Sequence, residues 1–268
     1  MVLVSDHIRA ALCTIPAFDP AARYVSRLSA RSALYTELGL LLGDHKDAFE
    51  SEEYRRLVID RNCLARKSSS ARQKLWTELR SRYRLDAADP LFNAFWSEWR
   101  TCQSDQERGL TAYILLALND RLVADLGSEW LFPLLRRAPA ELRVAEVLEF
   151  IAGKSRHGHP EVLNWSEQTR VGIAKKYCAS LRDFGLAVGT VQKRSIRPAL
   201  YGAPVRLLIR ALRLTGRSSL EIVNASIFRL LAIDSSEVID AFGELNRVGA
   251  VRFRIQGDIV ELDLVEAA

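Results

Sequence analysis

The chain has 268 residues, of which 49% are hydrophobic and 26% charged, and this is the composition of an ordinary globular protein. No apolar run reaches the ~18–20 residues of a membrane span, so we expect a soluble, cytoplasmic protein without a membrane partner. The formal charge of +5 is unevenly placed, because residues 219–268 hold four basic against nine acidic residues and carry −5, which leaves +10 for residues 1–218. A polyanion is therefore expected to bind the first part of the chain.

The first part of the chain predicts amphipathic helices separated by short polar loops. Residues 5–13 can form a short helix, and we interpret residues 1–28 as an N-terminal arm. Helices are then expected over 30–42 and from Ser51 to about residue 62. Further helices follow without a strand pattern between them, so residues 29–153 predict a helical bundle.

Residues 61–84 hold eight basic residues against a single acid, Glu78. Three consecutive serines at 68–70 predict a basic turn followed by a helix over about 69–83, since serine is a preferred N-cap. A basic turn at a helix N-terminus could hold a phosphate, or it could be an ordinary solvated face, and these residues alone favour the second. An apolar stripe with helical spacing comprises Leu75, Trp76, Leu79 and Tyr83.

Asp89-Pro90 predicts the start of a helix with four aromatic side chains, because proline fits the first turn. These aromatics could stack on nucleobases, but their helical spacing favours a place in the core; they are Phe92, Phe95, Trp96 and Trp99. A capping-box pattern at Ser104 and Glu107 predicts a long helix to about residue 126. Further helices are expected over 130–136 and 140–152.

The loop at 153–160 carries two histidines, His157 and His159. No acid or cysteine accompanies them at ligand spacing, so a metal site is not expected, and a basic loop that touches phosphate is a second interpretation. The sequence contains no phosphate-binding glycine loop, no dinucleotide-binding fingerprint and no zinc-protease motif. We expect neither an enzyme nor a cofactor.

Residues 166–198 predict a helix followed by a basic hairpin. Gln168, Lys175 and Arg182 fall on the helix face opposite its apolar stripe, and LAVGTVQKRSIRP carries three cations in the hairpin. A helix followed by a two-stranded wing is the pattern of a winged helix-turn-helix, in which the helix enters the major groove and the wing contacts the backbone. We favour this interpretation over a solvated connector, because the charge lies where that fold would need it.

The C-terminal part predicts a second winged-helix pattern of opposite charge. Arginines at 206, 210, 213 and 217 form one stripe, which could track phosphates or pair with the acidic tail, and both interpretations stay open. A capping box at Ser218 and Glu221 predicts a helix over 219–231, and Asp234-x-x-Glu237 predicts the start of another helix to Arg247. Residues 251–255 and 259–264 predict a hairpin. Acids on the would-be recognition helix would repel phosphates, so we expect this part to bind protein or to pack internally.

Three segments resemble the BrxA family of bacterial BREX phage-exclusion systems. The turn Leu64-Ala65-Arg66-Lys67-Ser68, between an apolar and a basic helix, is similar to that family's pattern. The run from Ser32 to Leu42 resembles its opening helix, and Trp165 to Pro198 resembles its closing helix and hairpin. The resemblance covers about residues 28–205. It implies a phage-defence role and a helical body similar to that of NusB, an RNA-binding antitermination factor.

The sequence thus predicts a mainly α protein, with a NusB-like helical bundle followed by winged helix-turn-helix-like modules that contain small β-hairpins. We divide it into the arm (1–28), the bundle (29–153), a helix with a basic wing (154–202) and an acidic winged-helix-like domain (203–268). We expect a non-catalytic component of phage defence that binds duplex DNA. The alternatives are an adaptor that binds other defence proteins through 203–268 and an RNA-binding antitermination-like factor. The candidate nucleic-acid contacts are Arg66, Lys67, Arg72, Lys74, Arg80, Arg82, Lys175, Arg182, Lys193, Arg194 and Arg197.

Overall fold

The computed structural model of the chain describes residues 14–43, 45–257 and 259–265, so the predicted helix 5–13 lies outside the described residues. The described part is mainly helical with two small antiparallel hairpins, which confirms the coarse fold prediction. No helix in these ranges has the length and hydropathy of a membrane span.

The bundle and the segment after it contain ten α-helices within the described residues. They are α1 (Tyr35–Leu42), α2 (Ser51–Ile59), α3 (Ser69–Tyr83), α4 (Pro90–Trp99), α5 (Asp105–Asn119), α6 (Arg121–Asp125), α7 (Phe132–Arg136), α8 (Val144–Ser155), α9 (Glu167–Asp183) and α10 (Gly202–Leu214). The C-terminal part adds α11 (Ser219–Val223) and α12 (Val238–Arg247). The first hairpin pairs β1 (Ala187–Val188) with β2 (Arg194–Ser195), and the second pairs β3 (Val251–Gln256) with β4 (Ile259–Leu264).

The core is centred on α5, whose residues 109–119 are all buried. The four aromatics of α4 are buried beside it, which confirms that they belong to the core. Helix α10 packs against both α4 and α5. The stripe of α10 that faces them is apolar and buried, as its pattern of Val205, Leu208, Ile209 and Leu212 predicts.

The long helix expected over 104–126 is interrupted at Asp120. This residue has an extended backbone (φ −138°) and caps α6 by accepting hydrogen bonds from the amides of Leu122 and Val123. The preceding Asn119 donates its side-chain amide to the carbonyls of Ser81 and Arg82 in α3. The break is thus stabilised by contacts between helices, and such contacts cannot be predicted from the local pattern of apolar residues.

The first residues of the helix expected over 140–152 form an edge of the first hairpin instead. The Ser195 amide donates to the Ala140 carbonyl at 2.7 Å, and the Leu142 amide donates to the Lys193 carbonyl at 2.9 Å. Helix α8 therefore begins only at Val144. The basic hairpin is a small sheet of three chain segments, closed on one edge by the bundle.

The C-terminal part is anchored on the bundle by a 3-10 turn, Ser226–Leu231, which packs against the π-helical turn Leu126–Leu131. At Gly127 a Cβ atom would overlap both the Tyr113 hydroxyl and a methyl group of Leu230. Glycine is therefore required here because two helical turns meet over its backbone. The predicted capping box at Ser218 is present, and Asp234 and Glu237 form a second one, each with reciprocal bonds between side chain and backbone. The helix expected over 219–231 is divided into α11 and the 3-10 turn, and the helix expected from Asp234 becomes α-helical only at Val238.

Candidate nucleic-acid interface

The basic turn before α3 is held by the side chain of Asn62. Its carbonyl oxygen accepts from the Arg66 amide at 2.8 Å, and its amide group donates to the Arg66 carbonyl at 3.1 Å. Asn62 itself has a positive φ of 51°, a conformation that asparagine tolerates better than most residues. The Arg66 guanidinium turns inward to Glu37 at 2.6 Å. Lys67, the next residue, is exposed.

Helix α3 begins where the serines predict, with the Ser68 hydroxyl accepting from the Ala71 amide. Its predicted apolar stripe is buried in full. The exposed residues of α3 include no acid; they are Ser69, Ser70, Gln73, Lys74, Thr77 and Arg80.

Arg82 is a core residue and leaves the set of candidate contacts. It is 1% exposed, and its guanidinium donates to the backbone carbonyls of Arg27, Arg31 and Ser32. Burial lowers the pKa of this guanidinium, while the carboxylate of Glu78 opposes that shift. A side chain with these contacts is not available to a phosphate.

The exposed cations of α3 and its turn have no acid to neutralise them. Other arginines of the same stretch are paired, Arg61 with Glu53 and Arg84 with Asp89. Among the described residues, no carboxylate forms an ion pair with the remaining cations. We call these remaining cations the α3 basic patch: Lys67, Arg72, Lys74 and Arg80.

Helix α9 presents its predicted polar face to solvent. Ser166 caps the helix by accepting from the Thr169 amide, and its apolar face is buried as expected. Gln168, Lys175 and Arg182 are all exposed. Arg182 lies 3.4 Å from the carboxylate of its neighbour Asp183, whereas no acid of the described chain pairs with Lys175.

Helices α3 and α9 contact the same short segment, 27–32, from two sides. Arg82 of α3 binds its carbonyls, and Lys176 of α9 donates to the Ser29 carbonyl at 2.5 Å. The segment also contributes Arg31, a half-buried cation whose charge helps to lower the pKa of Arg82. Sequence reasoning missed Arg31, although Arg23, Arg27 and Arg31 recur at intervals of four.

A second connection runs through Glu37 of α1. This carboxylate pairs with Arg66 before α3, and its negative charge also contributes to raising the pKa of Asp183 at the end of α9. Burial is the larger cause of that raised pKa, and Arg182 opposes it. Glu37 thus contacts the turn before α3 directly and acts on the end of α9 through its charge.

The three predicted wing cations have different surroundings. The Lys193 ammonium donates to the Thr190 carbonyl within the hairpin turn at 3.0 Å. Arg197 lies 3.7 Å from Glu237 of the C-terminal part. Arg194 is exposed, and no acid of the described residues pairs with it. The structure therefore leaves Arg194 as the most available cation of the hairpin.

The arginine stripe of α10 is occupied by internal contacts. Arg206 and Arg210 each donate through Nε to one oxygen of the buried Glu98 carboxylate, both at 2.7 Å. Arg213 donates to the Leu262 carbonyl of β4 at 2.8 Å. Internal contacts of the stripe are thus observed within the described residues, where Arg206 and Arg210 share the Glu98 carboxylate of α4 and Arg213 binds a carbonyl of the tail strand β4.

The two histidines of the 153–160 loop form local contacts, and two of the cysteines are buried. His159 stacks on Tyr24 with ring centroids 3.6 Å apart and bonds to Glu161, while His157 bonds to the Gly153 carbonyl. Burial raises the pKa of Cys102 to about 12 and that of Cys178 to about 11, so both thiols are protonated at neutral pH. No cluster of three metal-ligating side chains occurs in the described ranges.

Comparison with known proteins gives one family. The family model described as BrxA matches residues 22–212, which is more than half of the chain and runs from the segment before α1 almost to the end of α10. No curated protein matches the chain.

Proposed function

The chain belongs to the BrxA family of BREX phage-exclusion systems, and from this membership and its exposed cations we propose that it is a non-catalytic, duplex-DNA-binding component of phage defence. Binding would take place mainly through phosphates. The family match covers α3, α9 and the first hairpin, so the proposed contacts lie inside the matched region.

One observation carries the proposal. The α3 basic patch is exposed or half-buried without an acid partner in the described structure, because Glu78, the single acid of residues 61–84, is used by the buried Arg82. Uncompensated cations attract a polyanion, and counterion release from DNA then supplies binding free energy. The paired arginines of α2 differ, since Arg55 and Arg56 lie within ion-pair distance of Glu52 and Glu53.

The order of helix and hairpin supports the winged-helix form of the proposal. In it, α9 faces the major groove with Lys175 and Arg182, and Arg194 of the hairpin contacts the backbone beside it. Phosphate contacts of this kind position a protein on DNA without selecting a sequence. We also propose that the bundle has a NusB-like fold. Because NusB binds RNA, RNA is the competing ligand.

The test is fluorescence anisotropy with a short labelled duplex, the matching single strand and an RNA hairpin, at several salt concentrations. We expect the duplex to bind best, and log affinity to fall linearly with log salt by about 0.9 per neutralised phosphate. Replacing Lys67, Lys74 and Arg80 together by alanine should reduce the slope by up to about 2.7.

A matched control removes the same charge from paired side chains. Arg56 and Arg61 are exposed and Arg55 is half-buried, and all three pair with acids of α2, so their triple alanine variant should leave the slope nearly unchanged. A slope near zero for the unmodified protein, or equal losses in the two triple variants, contradicts the proposal. Preferred binding of the RNA hairpin would favour the antitermination-like alternative.

A further inference from the structure

A groove of about 350 Å³ lies between residues 197–201 and the C-terminal part. We call it the linker groove, because residues 197–201 connect the first hairpin to α10. Its apolar lining includes Leu200, Leu231, Ile233 and Ala241. The groove lies apart from the α3 basic patch, since none of the patch residues lines it.

One rim of the linker groove is acidic because of the periodicity of α12. Asp240 and Glu244 lie on one face of α12, and Glu237, at the residue before the helix, continues that row at an interval of three, so all three line the groove. The opposite face of α12 is buried through Val238, Phe242 and Leu245. The helix therefore cannot turn these acids elsewhere without losing its core contacts.

The rim binds guanidinium groups within this chain. Arg136 of α7 contacts both oxygens of the Glu237 carboxylate, and Arg197 lies 3.7 Å from it. The hydrogen bond from Arg136 is the main cause that lowers the pKa of Glu237, so this carboxylate is ionised at neutral pH. Glu237 is thus satisfied internally and marks one end of the rim.

The other two rim acids are open to a partner. Both Asp240 and Glu244 are exposed. Glu244 lies 3.6 Å from Arg247, but both side chains are exposed, and an exposed ion pair contributes little to stability. No cation among the described residues forms an ion pair with Asp240. Two carboxylates at the edge of an apolar groove repel phosphate and attract a basic side chain that has apolar neighbours.

We propose that the linker groove binds a segment of a partner protein in which an arginine or lysine is followed closely by an apolar side chain. The basic group pairs with Asp240 and Glu244, and the apolar side chain lies against Leu231, Ile233 and Ala241. This interaction is independent of DNA binding and uses surface of the opposite charge. It would allow the chain to hold DNA with one part and a protein with another.

The experiment is a display selection on the immobilised full-length chain with a random peptide library as the probe. Enriched peptides are expected to combine a basic residue with an apolar residue one to three positions away. Their affinity, measured by fluorescence anisotropy, should fall about ten-fold or more in the double variant Asp240→Lys/Glu244→Lys, because each reversal replaces attraction by repulsion. Circular dichroism checks that each variant is folded.

Two further variants separate the groove from general acidity. Ala199→Trp fills the groove from an exposed position without changing charge, and it should weaken the same peptides. The double variant Glu261→Lys/Asp263→Lys makes the same charge change on exposed residues of β4 outside the lining, and it should have little effect. Enrichment of acidic peptides, or equal weakening by the groove and β4 variants, overturns the proposal. Neither result bears on the salt dependence of DNA binding, so the two proposals fail separately.

Discussion

Glu78 lies 3.0 Å from the buried guanidinium of Arg82, one turn further along α3. Because Glu78, the only acid of residues 61–84, pairs with the buried Arg82, it does not neutralise the neighbouring exposed cations. Arg82 in turn fixes the backbone of residues 27–32 through three carbonyls. The charge left on the surface of α3 therefore depends on a contact in its interior.

Replacing Arg82 by methionine should destabilise the fold without changing DNA binding. Methionine keeps much of the volume but leaves three carbonyls and Glu78 without their donor, which we expect to lower the free energy of unfolding by about 3–5 kcal/mol. Urea unfolding measures the loss, and anisotropy at a temperature where the variant is folded measures binding. A salt slope reduced by about 0.9 would return Arg82 to the set of phosphate contacts.

Replacing Glu98 by alanine should also be strongly destabilising, although it is neither a proposed DNA contact nor a residue of the linker groove. The carboxylate is buried and shared by Arg206 and Arg210, so its removal takes away their common counter-charge. Loss of one member of such a buried ionic group costs about 3–5 kcal/mol. Glu141→Ala is the control, since its pair with Arg143 is exposed, and it should change stability by less than about 1 kcal/mol.

Asp120 should give the stability a specific pH dependence. Burial raises its pKa from 3.8 to about 6, so between these values the folded state binds a proton that the unfolded state does not. Its contribution to stability therefore falls as pH rises from about 4 to 6, by up to about 3 kcal/mol.

Asp120→Asn removes this titration and keeps a good helix N-cap. The stability of the variant relative to the original chain, from urea unfolding at several pH values, should increase between pH 4 and 7. A difference that stays constant or decreases over this range would show that Asp120 is not protonated on folding.

Within the hairpin, Arg194→Ala should weaken DNA binding more than Arg197→Ala. Arg194 is exposed without an acid partner in the described chain, while Arg197 lies close to Glu237. The loss for Arg194 should be similar for duplexes of different sequence, because phosphate contacts do not select bases. Anisotropy with two unrelated duplexes tests this prediction. An equal loss of affinity in both variants would contradict the distinction between Arg194 and Arg197.

Features that depend on neighbours in sequence were predictable. The capping box at Ser218, the buried stripe of α3 and the second hairpin all follow from spacing of a few residues. Contacts between distant segments were not. Arg82 sits on a basic helix and looks like its neighbours until the carbonyls of residues 27–32 are known. The edge pairing of Ala140 with Ser195 likewise replaces a helix start that local periodicity favoured.

Hydrogen bonds to the main-chain oxygens of residues 27–32 set the separation of α3 and α9. Arg82 and Lys176 bind carbonyls of this segment, which every amino acid supplies in the same way. Apart from the buried Leu28, substitutions in the segment therefore leave the bonds intact, whereas inserting or deleting a residue would move a carbonyl out of reach of one helix. Relatives of this chain are expected to vary in the identity of the other residues while keeping their number.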